Sequence, residues 1–328
     1  MRTKVAVFMG GRSGEHDISL QSGAAALAQL PKGEFDAFPV VIGRDGAWKI
    51  ADEEPAPLAD GLRSVLRRGV DVAFLAMHGP EGEDGRMQSL FDLVDLPYTG
   101  SDPYASSLAM NKPIAKQVYR QHGIPVADDL VLRRDAWLDD SVGVVRTLVE
   151  RFQAPWVLKT PKLGSSVGLH VLHEKDRLRD VLEELFALDN VVMAEEFVAG
   201  RELTGGVLDG KAWGATLALP LVEVTPVDEP YFNFKAKYTV GAAREVCPAP
   251  VAPELTARIQ RLSVRAHVAL GCRGFSRTDF ILTEDGRPIA LETNTIPGLT
   301  ETSLLPQAAA EAGICFPDLV AGMVRSAL

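Results

Sequence analysis

A strong hairpin signal, Asp285-Gly286, lies between two strand-like runs near the end of the 328-residue sequence. Asp-Gly is a favoured dipeptide for the tight turn that joins two antiparallel strands. Counting outward from this turn pairs Glu284 with Arg287 and, farther along, places Asp279 opposite Glu292. The sequence therefore predicts two carboxylates that face each other across neighbouring strands.

Side chains alternate between the two faces of a strand, so the polar and apolar residues of this hairpin separate. One face gathers the residues that can perform chemistry: Arg277, Asp279, Glu292 and Asn294. The other face is predicted to be core: Thr278, Phe280, Leu282, Ile289, Leu291 and Thr293.

Directly opposed carboxylates repel each other, so a positive charge is expected between them. Two carboxylates and an amide carbonyl form an all-oxygen set, which suits Mg²⁺, a hard cation that proteins hold together with substrate phosphates. We therefore predict a nucleotide-phosphate site with Asp279, Glu292 and Asn294 as metal ligands. The alternative is a solvated polar face in which Arg277 is the counter-ion.

The first hundred residues alternate short apolar runs with helical stretches, which is typical of an open parallel α/β sheet. Residues 4–9, 37–42 and 72–77 are predicted to be strands, and residues 18–30 a helix. Ligands bind beyond the carboxyl ends of such strands. We therefore expect a site in the polar loops 10–17 and 78–88.

The remainder of the chain is predicted to be largely antiparallel α+β. Strand signals occur at residues 156–159, 167–172, 191–197, 202–208 and 211–219, and the last segment combines a helix, the hairpin and further helix. A turn-forming cluster at 99–103 marks a domain boundary. We expect domains at 1–100, 101–210 and 211–328.

Composition restricts the partners and the compartment. The 34 Lys and Arg against 44 Asp and Glu give a net charge of −10, which disfavours nucleic acid and anionic membranes as partners. We expect neither a signal peptide nor a membrane span. The three cysteines are odd in number and far apart, which suits a reducing compartment, so the chain is expected to be cytoplasmic.

Two glycine-rich loops follow predicted strands. Residues 164–168, Gly-Ser-Ser-Val-Gly, can cover a triphosphate with backbone amides and hydroxyls, but by themselves they are also an ordinary turn. Residues 10–14 lack the spacing of a dinucleotide fingerprint. Glu15 follows them at the mouth of the sheet, where a carboxylate can receive a substrate ammonium group.

With these residues identified, the sequence resembles the D-alanine:D-alanine ligases of the ATP-grasp superfamily over nearly its whole length. Four blocks match in order: residues 10–20 (GGRSGEHDISL), 78–85 (HGPEGEDG), 164–168 (GSSVG) and 292–304 (ETNTIPGLTETSL). Four such blocks in sequence, with the hairpin in the right place, are highly specific.

The resemblance implies an ATP-grasp fold behind an N-terminal open α/β domain, and it assigns roles to residues. The catalytic residues would be Glu15, Ser165, Tyr238 and Arg277. Substrate would be bound by Ile18, His78, Gly298, Ser303 and Leu304. ATP would be bound by Lys112, Lys159, Glu195, Glu196, Val198, Glu202 and Lys237. Residues 231–238 would belong to a mobile lid.

The implied reaction is the ATP-dependent joining of two D-alanine molecules through a D-alanyl phosphate. Two Mg²⁺ ions would be required, with Mn²⁺ able to substitute, and the family habit is a homodimer. Tyr238 favours an amine as the second nucleophile, because relatives that make D-alanyl-D-lactate usually lack it. The alternatives are a related ligase that uses D-lactate or D-serine, a nucleotide-binding regulator without catalysis, and a nicotinamide dehydrogenase.

Overall fold

The N-terminal part of the chain is a layered α/β unit. Its elements are strands β1 (Thr3–Gly10), β2 (Phe35–Ile42), β3 (Trp48–Ile50) and β4 (Val72–Leu75), and helices α1 (His16–Gln29), α2 (Leu58–Arg67) and α3 (Arg86–Asp92). In this computed structural model, which describes residues 2–162, 168–227 and 243–328, β1 pairs in parallel with β2 and β4. β3 joins the edge antiparallel to β2. The prediction of a parallel sheet here is confirmed.

The central part of the chain forms a second, antiparallel sheet. Its elements are α4 (Pro103–Met110), α5 (Lys112–Gln121), β5 (Asp129–Arg133), α6 (Arg134–Asp139), α7 (Ser141–Arg151), β6 (Trp156–Lys159), β7 (Leu169–Leu172), α8 (Leu178–Leu188) and β8 (Val191–Glu196). The strand order is β5-β8-β6-β7, with every pair antiparallel. A separate core that includes Leu158, Leu182 and Val192 lies beneath this sheet.

The last part of the chain contains the largest sheet, which is also antiparallel. Its elements are β9 (Arg201–Leu208), β10 (Leu217–Ala218), β11 (Val222–Pro226), β12 (Ala243–Val246), α9 (Pro253–Ala269), β13 (Phe275–Leu282), β14 (Pro288–Asn294), α10 (Leu304–Glu311) and α11 (Phe316–Ala327). The order is β12-β11-β9-β13-β14, with β10 also paired to β9. In strand pairing, residues 201–208 therefore group with the C-terminal part.

The predicted strand at residues 211–219 is wrong over most of its length. Lys211–Trp213 is a single 3-10 turn, and only Leu217–Ala218 is extended. Gly214 has a φ of +72°, which ends any regular strand geometry at that point. The alternating apolar residues therefore reflect packing of a compact connection; Trp213, for instance, packs against the core that contains α11.

The hairpin has the predicted register at its functional end but reaches it by a different path. The turn is one residue longer than predicted, because Thr283 N–H donates to the carbonyl oxygen of Arg287. A register shift between Asp279 and Phe280 then leaves Leu291 as an extra residue, a β-bulge. Beyond the bulge Asp279 pairs with Glu292, as predicted.

The bulge also changes the predicted core face near the turn. Ala290 pairs with Phe280, and both belong to the core behind the sheet. The prediction that Ile289 shares the face of Phe280 is wrong, because Ile289 pairs with Ile281 and so lies on the opposite face. The prediction for Thr278 and Thr293 is confirmed, since they pair and are buried.

A shared core joins the N-terminal sheet to the C-terminal part. Val5 and Phe74 from the first sheet belong to the same buried cluster as Leu319 and Val324 of α11. β1 over residues 5–8 and β4 over residues 72–75 are entirely apolar and completely buried, as expected for a parallel sheet that is covered on both faces. Among the helices of the described ranges, none combines the length and apolarity that crossing a membrane would require.

Candidate active site

The loop between β1 and α1 places Glu15 at the carboxyl edge of the first sheet. Gly10 and Gly11 turn the chain there with φ values of +85° and +104°. A Cβ on Gly10 would lie 2.3 Å from the carbonyl oxygen of Ile42, so the backbone passes too closely for any other residue. Glu15 occupies the N-cap position of α1 and is buried. It therefore lies at the mouth of the sheet, as the sequence predicts.

Two further predicted substrate residues lie close to this loop. Ile18 is half-buried in the first turn of α1. His78 follows β4 and is buried, and two serines, one in the first loop and one in α1, bind its backbone. Ser13 Oγ donates to the carbonyl oxygen of His78 at 2.9 Å, and His78 N–H donates to Ser19 Oγ at 2.9 Å. The two polar loops that the sequence singles out are therefore bonded to each other.

The polar face of the hairpin brings its four predicted residues together. Arg277 binds Asp279 with two parallel bonds, Nε to Oδ1 at 2.8 Å and a terminal nitrogen to Oδ2 at 2.9 Å. Asn294 Nδ2 donates to Asp279 Oδ2 at 3.0 Å. The Glu292 carboxylate lies 3.0 Å from the ammonium of Lys112. Two protein cations thus supply the positive charge that the opposed carboxylates require.

The donor set on this face fits a divalent cation that substrate phosphates complete. Asp279 and Glu292 provide carboxylate oxygens and Asn294 a carboxamide oxygen, which is the chemistry that Mg²⁺ prefers. Within residues 2–162, 168–227 and 243–328, no three His, Cys, Asp or Glu side chains cluster as a self-sufficient metal site. Any ion held here therefore needs further oxygen ligands, such as those of a triphosphate.

A second buried charge cluster lies on the face of the central sheet opposite its apolar core. Glu195 is buried, and it pairs with the ammonium groups of both Lys159 and Lys116. Burial alone would raise the pKa of the Glu195 carboxyl, but the charges and hydrogen bonds of Lys159 and Lys116 lower it below its ordinary value. Glu195 is therefore ionised and holds Lys159 at the end of β6.

Helix α5 connects this cluster with the hairpin. Lys112 and Lys116 are separated by one helical turn, so they project from the same side of the helix. Lys112 reaches Glu292 of the hairpin, while Lys116 reaches Glu195 of the central sheet. The helix thereby places one cation against each of the two antiparallel sheets.

The residues predicted to bind adenine and ribose lie at the junction of these sheets. Glu196 ends β8, and its N–H donates to the carbonyl oxygen of Asp128. Val198 is in the connection to β9. Glu202 pairs with Ile281, two residues beyond Asp279, so its side chain lies on the polar face of the hairpin.

The predicted second-substrate residues lie where the chain enters α10. Ser303 is the N-cap residue, and Leu304 is the first residue of this eight-residue helix. The Ser303 hydroxyl accepts the Thr300 N–H at 3.1 Å and lies 2.7 Å from the Thr300 hydroxyl. A Cβ on Gly298 would lie 2.8 Å from Ser303 Oγ, so these two residues are adjacent.

Three predicted site residues, Ser165, Lys237 and Tyr238, lie outside the described residues, as do the lid at 231–238 and most of the loop at 164–168. Only Gly168 of that loop is described. Its φ is +68°, and the Thr160 N–H donates to its carbonyl oxygen at 3.3 Å.

Sequence reasoning missed two ionisable residues that contact the site. Lys116 is completely buried beside Glu195, and Glu83 is half-buried near Glu15. Burial and the negative charge of Glu15 raise the pKa of the Glu83 carboxyl to about 8. Lys116 follows Lys112 by four residues, one turn of α5, but that spacing alone does not reveal that Lys116 is buried.

Comparisons with known proteins give matches over nearly the whole chain. The family model described as D-ala D-ala ligase N-terminus matches residues 4–101, and the model described as D-ala D-ala ligase C-terminus matches residues 118–325. A D-alanine–D-alanine ligase from Geobacter sulfurreducens is 42% identical over 327 residues, which is 99% of this chain and 94% of the relative.

Solved structures are similar over the whole chain. The VanG D-Ala:D-Ser ligase from Enterococcus faecalis superposes with a TM-score of 0.85 at 28% identity, covering 100% of both chains. A D-alanine–D-alanine ligase from Bacillus anthracis complexed with ATP gives a TM-score of 0.79 at 28% identity, covering 99% of this chain and 97% of the other. These similarities support the ATP-grasp architecture predicted from the sequence.

Proposed function

This chain belongs to the D-alanine–D-alanine ligase family, and from that membership we propose that it joins two D-alanine molecules into D-alanyl-D-alanine with the hydrolysis energy of ATP. The observation that carries the proposal is the opposed pair Asp279 and Glu292, each already matched with a cation. Such a site binds a polyphosphate with its metal ions. The product serves peptidoglycan precursor synthesis.

The first half-reaction activates a carboxylate. Glu15 holds the ammonium of the first D-alanine, with Ile18 near its methyl group. The substrate carboxylate attacks the γ-phosphate of ATP, the bond to the β-phosphate breaks, and D-alanyl phosphate and ADP form. When bound to Asp279, Glu292 and Asn294, two Mg²⁺ ions would neutralise charge on the phosphates.

The second half-reaction forms the amide. The second D-alanine docks its carboxylate at Ser303, Leu304 and the N-terminus of α10, where backbone N–H groups and the helix dipole favour an anion. Its amine attacks the acyl carbon, a C–N bond forms, phosphate leaves and the amine releases a proton. Arg277 stabilises the oxyanion together with the backbone of Gly298.

The protein's own cations hold the nucleotide. Lys112 pairs with Glu292 of the last sheet and Lys159 with Glu195 of the central sheet, an arrangement that suits contacts to successive phosphates. Glu195, Glu196 and Val198 border the adenine, and Glu202 receives the ribose hydroxyls. The family resemblance also assigns Ser165, Lys237 and Tyr238 to this reaction.

The proposal also covers the location, the oligomeric state and the domains of the protein. The protein acts in the cytoplasm as a homodimer. Its three domains span residues 1–100, 101–210 and 211–328. Because β9 pairs with β11 and β13, the second of these boundaries is better placed just before residue 201.

D-serine or D-lactate is the alternative second substrate, and the similarity to a D-Ala:D-Ser ligase makes D-serine the one to test first.

An assay of phosphate release with ATP, Mg²⁺ and each candidate second substrate tests the proposal. We expect turnover with D-alanine alone and a dipeptide product by mass spectrometry. No turnover with D-alanine, or a much faster reaction once D-serine or D-lactate is added, would overturn the substrate assignment.

A matched pair of variants tests the metal site. Asp279→Asn removes one carboxylate from the polar face, and we expect kcat to fall by roughly 100-fold or more, because the charge on the transferring phosphate is no longer neutralised. Asp285→Asn makes the same change at the exposed turn of the same hairpin and should retain activity. Equal activity of both variants would show that this face does not bind the metal.

A further inference from the structure

The His78 ring is bonded at both nitrogens to groups outside its own loop. Nδ1 lies 2.9 Å from the carbonyl oxygen of Ile296 and therefore donates to it. Nε2 lies 2.7 Å from Ser22 Oγ, which in turn accepts the Leu299 N–H at 3.2 Å. Burial lowers the pKa of His78, so the ring is neutral and Nε2 accepts the Ser22 hydroxyl proton. Neither nitrogen is left for a substrate.

Glu83 holds two backbone amides from different parts of the chain. Its Oε2 accepts the N–H of Gly79 at 2.7 Å, and its Oε1 accepts the N–H of Ile296 at 3.2 Å. Both polar atoms of the Ile296 backbone are therefore bound by side chains of the N-terminal unit, the N–H by Glu83 and the carbonyl by His78.

Both segments that Glu83 joins touch the substrate sites. A Cβ on Gly79 would lie 2.4 Å from Glu15 Oε2, so Gly79 lies directly against the carboxylate for the first substrate. Ile296 follows the metal ligand Asn294 by two residues and precedes Gly298 by two. One carboxyl group thus bonds the first-substrate loop to the segment after β14.

We propose that Glu83 is a positioning residue of the reaction: by binding the amides of Gly79 and Ile296 with its two oxygens, it fixes the first-substrate loop relative to the metal strand and the oxyanion segment. His78 and Ser22 support the same junction from the other side. The catalytic part of this inference rests on the proposed ligase function. Misplacement of reacting groups by about 1 Å can lower a rate roughly 100-fold.

The matched variants are Glu83→Gln and Glu81→Gln. A carboxamide has one accepting oxygen, so Glu83→Gln leaves one of the two amides facing an NH₂ group. Glu81 is in the same loop, but its carboxylate pairs with the exposed Arg12. We expect kcat of Glu83→Gln to fall by roughly 10- to 100-fold with KM for ATP within about twofold, since the nucleotide cations are unaltered. Glu81→Gln should match wild type.

Hydrogen exchange tests the junction without any assumption about the reaction. Peptides that cover residues 295–299 should exchange faster in Glu83→Gln than in wild type, and at the wild-type rate in Glu81→Gln. If wild type fails to ligate D-alanine but the exchange result holds, the proposed function fails while the junction stands.

Two outcomes would overturn the proposal: a folded Glu83→Gln protein with wild-type kcat, or one with unchanged exchange at 295–299. A role in stability alone would lower the melting temperature and leave kcat per folded molecule unaltered. If Glu83→Gln does not fold, Ser22→Ala decides, because it removes the bond to Leu299 at the same junction. It should show the same two effects at smaller size, and wild-type behaviour would contradict the inference.

Discussion

The whole side chain of Lys116, including its ammonium group, is buried. A buried ammonium is tolerated only when opposite charge surrounds it, and here Glu195 pairs with it directly while Asp129 lies 3.4 Å away. The same Glu195 also pairs with Lys159. The position of Lys159, which we propose contacts phosphate, therefore depends on a second lysine, Lys116, for which no substrate contact is proposed.

Replacing Lys116 by Met should destabilise the protein by about 3–5 kcal/mol, because Glu195 and Asp129 lose a buried partner. Arg325→Met is the control, since it breaks an ion pair with Glu34 whose two side chains are nearly half exposed, and it should cost less than about 1 kcal/mol. Urea denaturation of both variants measures the difference. Similar losses would mean that the buried cluster is no more important than a surface pair.

Glu83 makes stability depend on pH. Its pKa is raised from 4.5 to about 8 by burial and by the charge of Glu15. Between pH 4.5 and about 8 the folded protein keeps a proton on Glu83 that the unfolded chain has released. The contribution of Glu83 to the free energy of unfolding is therefore fully present below about pH 4.5 and is lost as pH rises through about 8. Glu83→Gln should flatten this slope of melting temperature between pH 5 and 8, whereas Glu81→Gln should keep it; parallel curves for all three proteins would refute the assignment.

Local sequence patterns predicted Glu15 and the opposed pair Asp279 and Glu292, because a loop after a strand and a hairpin are short-range features. Lys116 and Glu83 escaped prediction for the opposite reason. Their partners are 79 and 213 residues away along the chain. Contacts between residues so far apart in sequence determine whether an ionisable side chain is buried, and a local sequence pattern does not reveal them.

At the scale of elements, the sequence predicted the pairing of Asp279 with Glu292 in the hairpin but not the turn and the bulge that produce it. The prediction of a two-residue turn was wrong by one residue, and the bulge at Leu291 restores the count. A bulge sends the following residues to the other face, so it keeps Glu292 beside Asp279 and away from the core. Nothing in the residue types around Leu291 announces a bulge, because its apolar side chain fits a regular strand equally well.

The packing of α1 on β1 is tight at one point and offers a test. A Cβ on Gly23 would lie 2.4 Å from the Cβ of Met9, so Gly23→Ala should push the helix outward. We expect a loss of roughly 1–3 kcal/mol from overpacking, although alanine is the better helix former, and a raised KM for D-alanine because α1 carries Glu15.

Ala24→Gly is the control for this helix, because residue 24 is exposed. It should cost about 1 kcal/mol from helix propensity alone and leave KM unchanged. A Gly23→Ala variant more stable than wild type by thermal denaturation would show that the helix and strand can separate without penalty.

At the scale of the whole molecule, charge is distributed unevenly. The protein carries a net charge of −10, yet four cations gather in buried or half-buried positions: Lys112, Lys116, Lys159 and Arg277. Each of them is paired with a carboxylate, and the carboxylates are Glu292, Glu195, Asp129 and Asp279. Because the charges of this cluster nearly balance, a polyphosphate would need accompanying metal ions to bind among these side chains.

Nucleotide should stabilise the folded protein, and metal should be needed for it. At 100 times the dissociation constant, MgATP should add about 2.7 kcal/mol and raise the melting temperature. EDTA should abolish most of that increase, and Asp279→Asn should reduce it. An equal increase with ATP in EDTA would show that the nucleotide binds without the proposed metal ligands.

The helix α5 has a consequence for how the sequence can vary in length. Its two lysines contact carboxylates of two different sheets, and inserting a single residue between them would rotate one lysine by about 100° away from its carboxylate. The number of residues between the two lysines therefore cannot change without breaking one of the ion pairs. Insertions and deletions among homologues, and library designs that vary chain length, should be confined to the loops before and after α5.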